Sequence, residues 1–407
     1  MRKRDVRLGR TPVARSFAII LTALVALGIP GSALSQSQGS GRLRIGATMS
    51  ITGKAYSVQG GYGREGYLLC QKHLNEQGGL LGRAVEFLIY DDESDEMTAA
   101  RLYEKLMTED KVDAILGPYG TAITEAIADI PDRHRKVMVA ANAATSSIWE
   151  KGRKYLIMVL APVDSAAIGA LDLAARNGLK KVAIINQDAL LPKAVAKTTN
   201  ELAKSMGLNV VAFETYPTGT SDFSELLAKV RQSAPDLLVT AAVRIDDLVA
   251  IIRQMRAMNF DTRMMSSLPY GLLPEFYQQL GRDAEFVYSA TFWDASLPNP
   301  GNPEFVAAYQ KEFNRAPAVQ SANSYAGCQI LAEAVRQAGT TESEKLRDTL
   351  LSLKTRSILG DFAVDQRGFQ IGQKAVTIQW QDGKQAVVWP DGLGSVPRFP
   401  MPNWASR

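Results

Sequence analysis

Short apolar runs rich in β-branched residues alternate with amphipathic segments from Leu43 onward. This alternation predicts strands that are each followed by a helix, and therefore a parallel sheet. The first series places strands at 43–48, 85–90, 112–117 and 136–140, with helices at 63–76, 95–109 and 121–129.

A second series begins after Pro162, with strands predicted at 182–186, 210–215, 237–241 and 263–266 and helices from Asp164, Pro192, Asp222 and Ile245. Two consecutive series predict an α/β protein with two doubly wound, parallel-sheet lobes. A third part of the chain is predicted to contain one strand at 286–292 and helices at 303–313, 321–338 and 342–353. These helices need a sheet against which to pack. Residues 357–389 predict more strands, with turns at 366–368 and 382–383.

The first 35 residues have the pattern of a secretory signal peptide. A basic start is followed by an apolar run at 17–29 and then by Pro30-Gly31. This run is shorter than the roughly 20 residues that span a bilayer, and Pro-Gly ends a helix. We therefore expect a cleaved signal peptide at 1–35 and a periplasmic mature protein, the alternative being an uncleaved anchor helix.

Removing this segment changes the charge balance of the chain. The full sequence has 46 basic and 42 acidic residues, and the segment contains six of the basic residues and one of the acids. The mature chain is thus close to neutral, which gives no support for nucleic acid or an anionic membrane as partner.

Residues typical of catalysis or metal binding are scarce. The chain has two histidines, His73 and His134, without a second ligand at metal-site spacing, so we expect surface residues and no metal. No nucleophile elbow, zinc-protease motif or phosphate loop occurs, which predicts a protein without cofactor or enzymatic activity. Cys70 and Cys328 lie far apart on predicted helices, which favours buried free thiols over the disulfide that export would permit.

A glycine pattern and an acidic group allow other interpretations. Gly61, Gly63 and Gly66 match a dinucleotide fingerprint, but they come about ten residues after the first predicted strand instead of in the turn that follows it. We interpret them as a loose helix entry near a ligand. The acids in 91–96 could serve a secreted hydrolase, although acids in the first turn of a helix are the simpler interpretation.

The run at 75–83, Asn-Glu-Gln-Gly-Gly-Leu-Leu-Gly-Arg, leads into Val85-Glu86 and then Tyr90-Asp91-Asp92. It resembles a segment of the leucine/isoleucine/valine-binding protein family, and matches at 114–117, 162–165 and 360–368 keep the same order. The resemblance implies a type I periplasmic binding protein, with two lobes joined by three crossovers. The expected lobes are 42–163 plus 293–371 and 164–292 plus 372–395, followed by a tail at 396–407.

A candidate carboxylate site follows the third predicted strand, where Tyr119, Gly120 and Thr121 open a helix. Free backbone N–H groups and a hydroxyl suit an anion there, unless Thr121 only caps its own helix. The resemblance adds Thr145 and the carbonyl of Ala143 as ligand contacts. It also makes Asp164 a crossover acid close to the ligand, a cap of the hinge helix being the alternative role. Tyr56 and Tyr119 are expected to cover an apolar part of the ligand, core packing being the alternative.

Two positions depart from the family pattern. Leu190-Leu191 stand where a tyrosine is frequent, and Leu268 stands where an acid holds the ligand's ammonium group. The expected ligand is therefore a small amino acid or an apolar carboxylate whose affinity depends little on an α-amino group. The residues expected at the site are Thr121, Thr145, Ala143, Tyr119, Gly120, Asp164, Tyr56, Leu191 and Leu268.

As the resemblance implies, we expect a monomeric substrate-binding protein that delivers its ligand to the inner-membrane permease of an ABC importer, with separate ATPase subunits. A periplasmic sensor that presents an amide or aromatic acid to a signalling receptor shares the same fold and is the alternative function.

Overall fold

The computed structural model describes residues 41–373 and 375–407, without the side chain of Asp164. The predicted signal peptide at 1–35 lies outside the described residues. Of the helices within the described ranges, none has both the length and the apolar character needed to cross a membrane.

The bounds of the regular elements are as follows. The strands are β1 (Leu43–Met49), β2 (Val85–Asp91), β3 (Ala114–Leu116), β4 (Met138–Ala140), β5 (Leu156–Met158), β6 (Lys181–Gln187), β7 (Asn209–Tyr216), β8 (Leu237–Ala242), β9 (Met264–Pro269), β10 (Tyr288–Thr291), β11 (Thr355–Ser357), β12 (Gly360–Phe362), β13 (Val376–Gln381) and β14 (Lys384–Trp389). The α-helices are α1 (Ser57–Glu76), α2 (Glu96–Thr108), α3 (Thr121–Ile127), α4 (Asp129–His134), α5 (Ile168–Arg176), α6 (Leu190–Ser205), α7 (Ser224–Gln232), α8 (Ile245–Ala257), α9 (Pro274–Leu280), α10 (Asn302–Phe313), α11 (Val319–Ala338) and α12 (Ser343–Ser352).

Among the described residues, the strands form two main sheets. The first has the order β2-β1-β3-β4-β5, and all of its pairs are parallel. The second has the order β14-β13-β10-β9-β8-β6-β7, with parallel pairs from β10 to β7 and an antiparallel hairpin, β13–β14, at its edge. The direction in which successive strands are added reverses between β1 and β3 in the first sheet and between β6 and β8 in the second, which confirms the doubly wound α/β prediction.

The chain passes between the two sheets three times. It leaves the first sheet after β5 and enters the second at β6. After β10 it returns to the first lobe, where α11 packs on α1 and β4, and it then re-enters the second sheet at β13. The three expected crossovers are therefore present, although the exact lobe boundaries remain a prediction. The tail packs on the second lobe, since Trp404 is buried and donates its indole N–H to the carbonyl of Phe260.

The three glycines that resemble a dinucleotide fingerprint lie inside α1, so their interpretation as a loose helix entry is wrong. Gly66 faces α11, where an added Cβ would lie 2.1 Å from the carbonyl oxygen of Ser321. Gly63 lies against Met49, with 3.0 Å from such a Cβ to the methionine sulfur. These two glycines allow α1 to approach α11 and the first sheet closely.

Cys70 and Cys328 form a disulfide, so the prediction of two free thiols is wrong. Their Cα atoms are 6.3 Å apart although 258 positions separate them in the sequence. Because α1 carries the first cysteine and α11 the second, the same helix contact that requires Gly66 brings the sulfurs together. Sequence distance gave no indication of this contact.

The two histidines are partly buried, and their assignment as surface residues is corrected accordingly. Nδ1 of His73 lies 2.7 Å from the hydroxyl of Tyr325 on α11. Nε2 of His134 lies 2.7 Å from a carboxylate oxygen of Glu104 on α2. Each ring thus joins two helices, and burial lowers the pKa of His73.

Candidate functional site

A small cavity lies between the two lobes, at the carboxyl ends of the strands of both sheets. Its volume is about 60 Å³. Open parallel sheets commonly bind ligands at this edge, where the direction of winding changes. The described residues that line it are Tyr119, Gly120, Thr121, Asn142, Ala144, Leu160, Val163, Leu191, Pro269, Tyr270, Leu272, Ala290, Phe292, Val319, Gln320 and Asn323. None of these side chains is charged.

Thr121 and Thr145 present a pair of hydroxyl groups on the first lobe. Their oxygens are 3.1 Å apart, and either can be the donor. Thr121 is the first residue of α3, while Gly120 occupies the N-cap position with φ +93° and Thr121 makes no capping hydrogen bond. The hydroxyl of Thr121 therefore does not serve the capping role that the sequence left open. Thr121 lines the cavity, whereas Thr145 is fully buried behind it and is not among the described lining residues.

Tyr119 forms an aromatic bridge between the lobes. Its hydroxyl donates to that of Tyr270 at 3.0 Å, and the ring of Tyr56 packs edge-on against it with centroids 5.8 Å apart. Burial raises the pKa of both Tyr119 and Tyr270, so each hydroxyl stays protonated at neutral pH. Tyr56 itself lines a neighbouring, outer part of the cleft.

Of the remaining predicted site residues, some line the cavity and others do not. Leu191 lines the cavity from the N-terminal end of α6. Ala143 and Leu268 are buried and are not among the described lining residues, whereas Pro269 and Tyr270, which follow Leu268, are. Asp164 belongs to a 3₁₀ turn, Val163–Ser165, but its side chain lies outside the described part of the structure.

Sequence reasoning missed three amide side chains in the lining: Asn142, Gln320 and Asn323. All three are more than nine-tenths buried. Asn142 lies two residues after β4, and its position near a strand end could have identified it. Gln320 and Asn323 lie one turn apart on α11, which reaches the site only because the chain returns to the first lobe. No local motif marks that return.

The outer part of the cleft is larger and more polar. It has a volume of about 550 Å³, and it is lined by residues from both lobes that include Lys54, Glu96 and Arg244. Tyr56 and Leu190 also line it. This space opens where the reversal points of the two sheets face each other.

The acids at 91–96 have two different roles, so their interpretation as first-turn helix acids holds only in part. Asp92 accepts hydrogen bonds from the hydroxyls of Thr48 and Ser50, each at 2.7 Å. Asp91 similarly accepts from the hydroxyl of Thr52 at 2.7 Å. Asp95 caps α2 by accepting from the backbone N–H of Thr98 at 2.7 Å. Asp91 and Asp92 thus fix the loop that leads from β1 to the cleft.

Comparison with known proteins supports the architecture. The family model described as periplasmic binding protein matches residues 42–385. The leucine-, isoleucine-, valine-, threonine- and alanine-binding protein of Pseudomonas aeruginosa is 22% identical over 345 residues, 84% of this chain and 91% of that protein.

Two solved structures illustrate the shared fold. One is the branched-chain amino acid transporter substrate-binding protein of Streptococcus pneumoniae in complex with isoleucine, at TM-score 0.76 and 22% identity, covering 84% of this chain and 97% of that one. The other is an ABC transporter solute-binding protein of R. palustris in complex with benzoate, at TM-score 0.75 and 19% identity, covering 86% and 96%. With two doubly wound lobes, three crossovers and a family match over 42–385, the chain belongs to the periplasmic binding protein family.

Proposed function

We propose that this chain is the periplasmic substrate-binding component of an ATP-driven importer, and that it holds a small amino acid or a related apolar carboxylate between its lobes. The observation that carries the proposal is the cavity to which both lobes contribute. The first lobe supplies the hydroxyl of Thr121, while the second supplies Leu191, Leu272 and Tyr270. A few polar groups in a largely apolar lining are typical of small-molecule sites.

The proposed ligand class combines a carboxylate with an apolar body. Thr121 lines the cavity, and when Thr145 donates to its oxygen, the Thr121 hydroxyl can donate to a carboxylate. Apolar side chains such as Leu160 and Phe292 surround the remaining space. The two structural neighbours described above are complexes with isoleucine and with benzoate, which share a carboxylate beside an apolar group. We infer the same shared chemistry for this chain.

Ligand entry requires the lobes to separate. The cavity of about 60 Å³ is much smaller than the roughly 300 to 1,000 Å³ of sites that take larger ligands. The lobes already touch through Tyr119 and Tyr270. Hinge motion at the three crossovers would open the site and then close it on the ligand. A protein that binds in this way can present the closed form to a membrane permease.

Binding without chemical change fits the site better than catalysis does. The described lining contains no charged group, no histidine and no cysteine. Acid–base catalysis needs a group that titrates near the working pH, and the tyrosine hydroxyls here have raised pKa values.

The proposal is tested by native mass spectrometry of the purified protein, followed by small-angle scattering with isoleucine and with benzoate. We expect a trapped small acid or a measurable decrease in the radius of gyration with one of the two. The amides of the same two acids are the matched controls and should bind more weakly. Tighter binding of the amides, or binding without any compaction, would contradict the proposed site and its closure.

A further inference from the structure

The cavity has a second polar region, opposite in hydrogen-bonding character to the threonine pair. Asn142, Gln320 and Asn323 line it, and the side-chain oxygens Oδ1, Oε1 and Oδ1 accept no hydrogen bond among the described residues. Leaving a buried acceptor unpaired costs about 1 to 3 kcal/mol. Three such oxygens around one cavity therefore indicate that they accept hydrogen bonds from a ligand bound there.

The orientation of the Asn142 amide is set by its bond to Ser324 on α11. Nδ2 of Asn142 donates to the hydroxyl oxygen of Ser324 at 2.8 Å. Tyr67 donates its own hydroxyl to the carbonyl of Gly117 at 3.0 Å, so its oxygen remains able to accept a proton. Oδ1 of Asn142 has no hydrogen-bond partner among the described residues.

Gln320 lines the cavity beside Tyr119. Because Tyr119 uses its own proton on Tyr270, its oxygen can only accept from a neighbouring amide nitrogen. Oε1 of Gln320 has no hydrogen-bond partner among the described residues. Asn323 lies one turn further along the same face of α11, with its Oδ1 also unpaired.

We propose that these three amide oxygens bind the hydrogen-bond donors of the ligand, so that the ligand carries an N–H or O–H group beside its carboxylate. This inference rests on the proposed function and specifies its ligand class. The site has no described carboxylate to balance a cation, and burying an unbalanced charge is costly. The donor is therefore a neutral group, or the ammonium of a zwitterion whose carboxylate binds at Thr121.

This assignment replaces the expectation from Leu268 that an α-amino group matters little. The acceptors for such a group are Asn142, after β4, and Gln320 and Asn323 on α11. The residue at position 268 in β9 is not required for this role. A site built to accept from a ligand donor rejects an analogue without the donor, since its oxygens then stay unpaired.

Calorimetry with three probes of one carbon skeleton tests the inference: L-leucine, 2-hydroxy-4-methylpentanoate and 4-methylpentanoate. They carry an ammonium, a hydroxyl and no donor, respectively, beside the same carboxylate. We expect at least one donor-bearing probe to bind about tenfold or more tightly than 4-methylpentanoate. A gain for leucine alone identifies a charged donor, and a gain for both shows that a neutral donor suffices.

Variants on α11 locate the effect. Asn323→Ala should reduce the preference for donor-bearing probes severalfold, whereas Gln337→Ala, an exposed amide on the same helix, should leave it unchanged. Asn323→Asp should raise the preference for leucine over the hydroxy acid. Equal affinities for all three probes in the wild type would overturn this inference and leave the carboxylate site intact. If none of the three bound, the proposed ligand class would fail and this inference with it.

Discussion

The hydroxyl of Tyr119 donates a hydrogen bond to the hydroxyl of Tyr270, with 3.0 Å between the oxygens. Tyr119 follows β3 in the first sheet, and Tyr270 follows β9 in the second. The bond therefore links the lobes directly at the cavity, and it can exist only when the lobes are close together. Its contribution belongs to the closed form alone.

Replacing Tyr270 with phenylalanine should consequently favour the open form. The loss of a buried hydrogen bond costs about 1 kcal/mol, which corresponds to a roughly fivefold change in the closed-to-open ratio. Small-angle scattering should show a larger radius of gyration, and calorimetry a weaker affinity. Tyr288→Phe is the matched control, because Tyr288 is a buried tyrosine of the second lobe that bonds to the carbonyl of Arg398 away from the cavity. Identical behaviour of the two variants would contradict the linking role of Tyr270.

Thr121→Ala should weaken ligand binding without loss of fold stability. A hydrogen bond to a charged carboxylate contributes about 1.5 to 3 kcal/mol, so the affinity should fall roughly tenfold to a hundredfold. The melting temperature should change little, since Gly120 and not Thr121 is the N-cap of α3. Thr199→Ala is a suitable control because its buried hydroxyl bonds to the carbonyl of Val195 within α6. A stability loss with unchanged affinity would show that Thr121 has a structural role only.

The order of strands and helices could be predicted because most elements are long enough to show their period. The strand β5, Leu156–Met158, was missed: it is as short as β3 and β4, but no α-helix directly follows it to complete a strand–helix unit. Thr121 and Tyr119 could be predicted as cavity residues, because the end of the third strand and the start of the next helix are adjacent in the sequence there.

Contacts made by α11 could not be predicted in the same way. Gln320, Asn323 and the disulfide partner Cys328 reach their positions only when the chain returns to the first lobe after β10. Local pattern carries no information on which helix packs beside α1. The two amide acceptors on α11 and the disulfide were missed for this one physical reason, whereas Asn142 follows a predicted strand and was open to prediction.

The close contact between α1 and α11 predicts opposite outcomes for two glycines on the same helix. Gly66→Ala would place its Cβ 2.1 Å from the backbone carbonyl of Ser321, so the helices must separate. We expect a loss of about 1 to 3 kcal/mol in the free energy of unfolding. Gly61→Ala meets nothing within 4 Å and should instead gain about 0.5 to 1 kcal/mol from helix propensity. Urea denaturation of both variants measures the difference, and a destabilised Gly61→Ala would argue against this packing.

Removal of the disulfide should destabilise the protein without weakening ligand binding. A bond that joins positions 258 apart restricts the unfolded chain strongly, and losing it should cost about 2 to 4 kcal/mol. The double variant Cys70→Ser, Cys328→Ser should denature at lower urea, and reduced wild-type protein should behave similarly. Affinity should be retained, since neither cysteine is among the described residues that line the cavity. An unchanged midpoint after verified reduction would show that α1 and α11 are held together by packing alone.

The buried guanidinium of Arg153 should make stability depend on acidic pH. Arg153 donates to Asp129 at 2.7 Å and to Glu125 at 3.1 Å, and its remaining nitrogen donates to the carbonyl of Ile148 at 2.9 Å. Burial alone would raise the pKa of Glu125, but the hydrogen bonds from Arg153 and Lys151 outweigh it and lower that pKa below 4.5. The hydrogen bond from Arg153 similarly lowers the pKa of Asp129 below 3.8.

Because both carboxyl groups have lower pKa values in the folded state, they stabilise the fold above their ordinary values, and this stabilisation is lost as pH falls through the lowered ones. Wild-type stability should therefore decrease as the pH falls below about 4.5. Arg153→Met removes the donor, so it should lose about 1 to 3 kcal/mol at neutral pH and show a shallower decrease in acid. Both carboxylates keep contact with solvent, which limits the loss relative to a fully buried pair. Thermal denaturation of both proteins across this pH range measures the two slopes, and parallel curves would show that Arg153 does not control these pKa values.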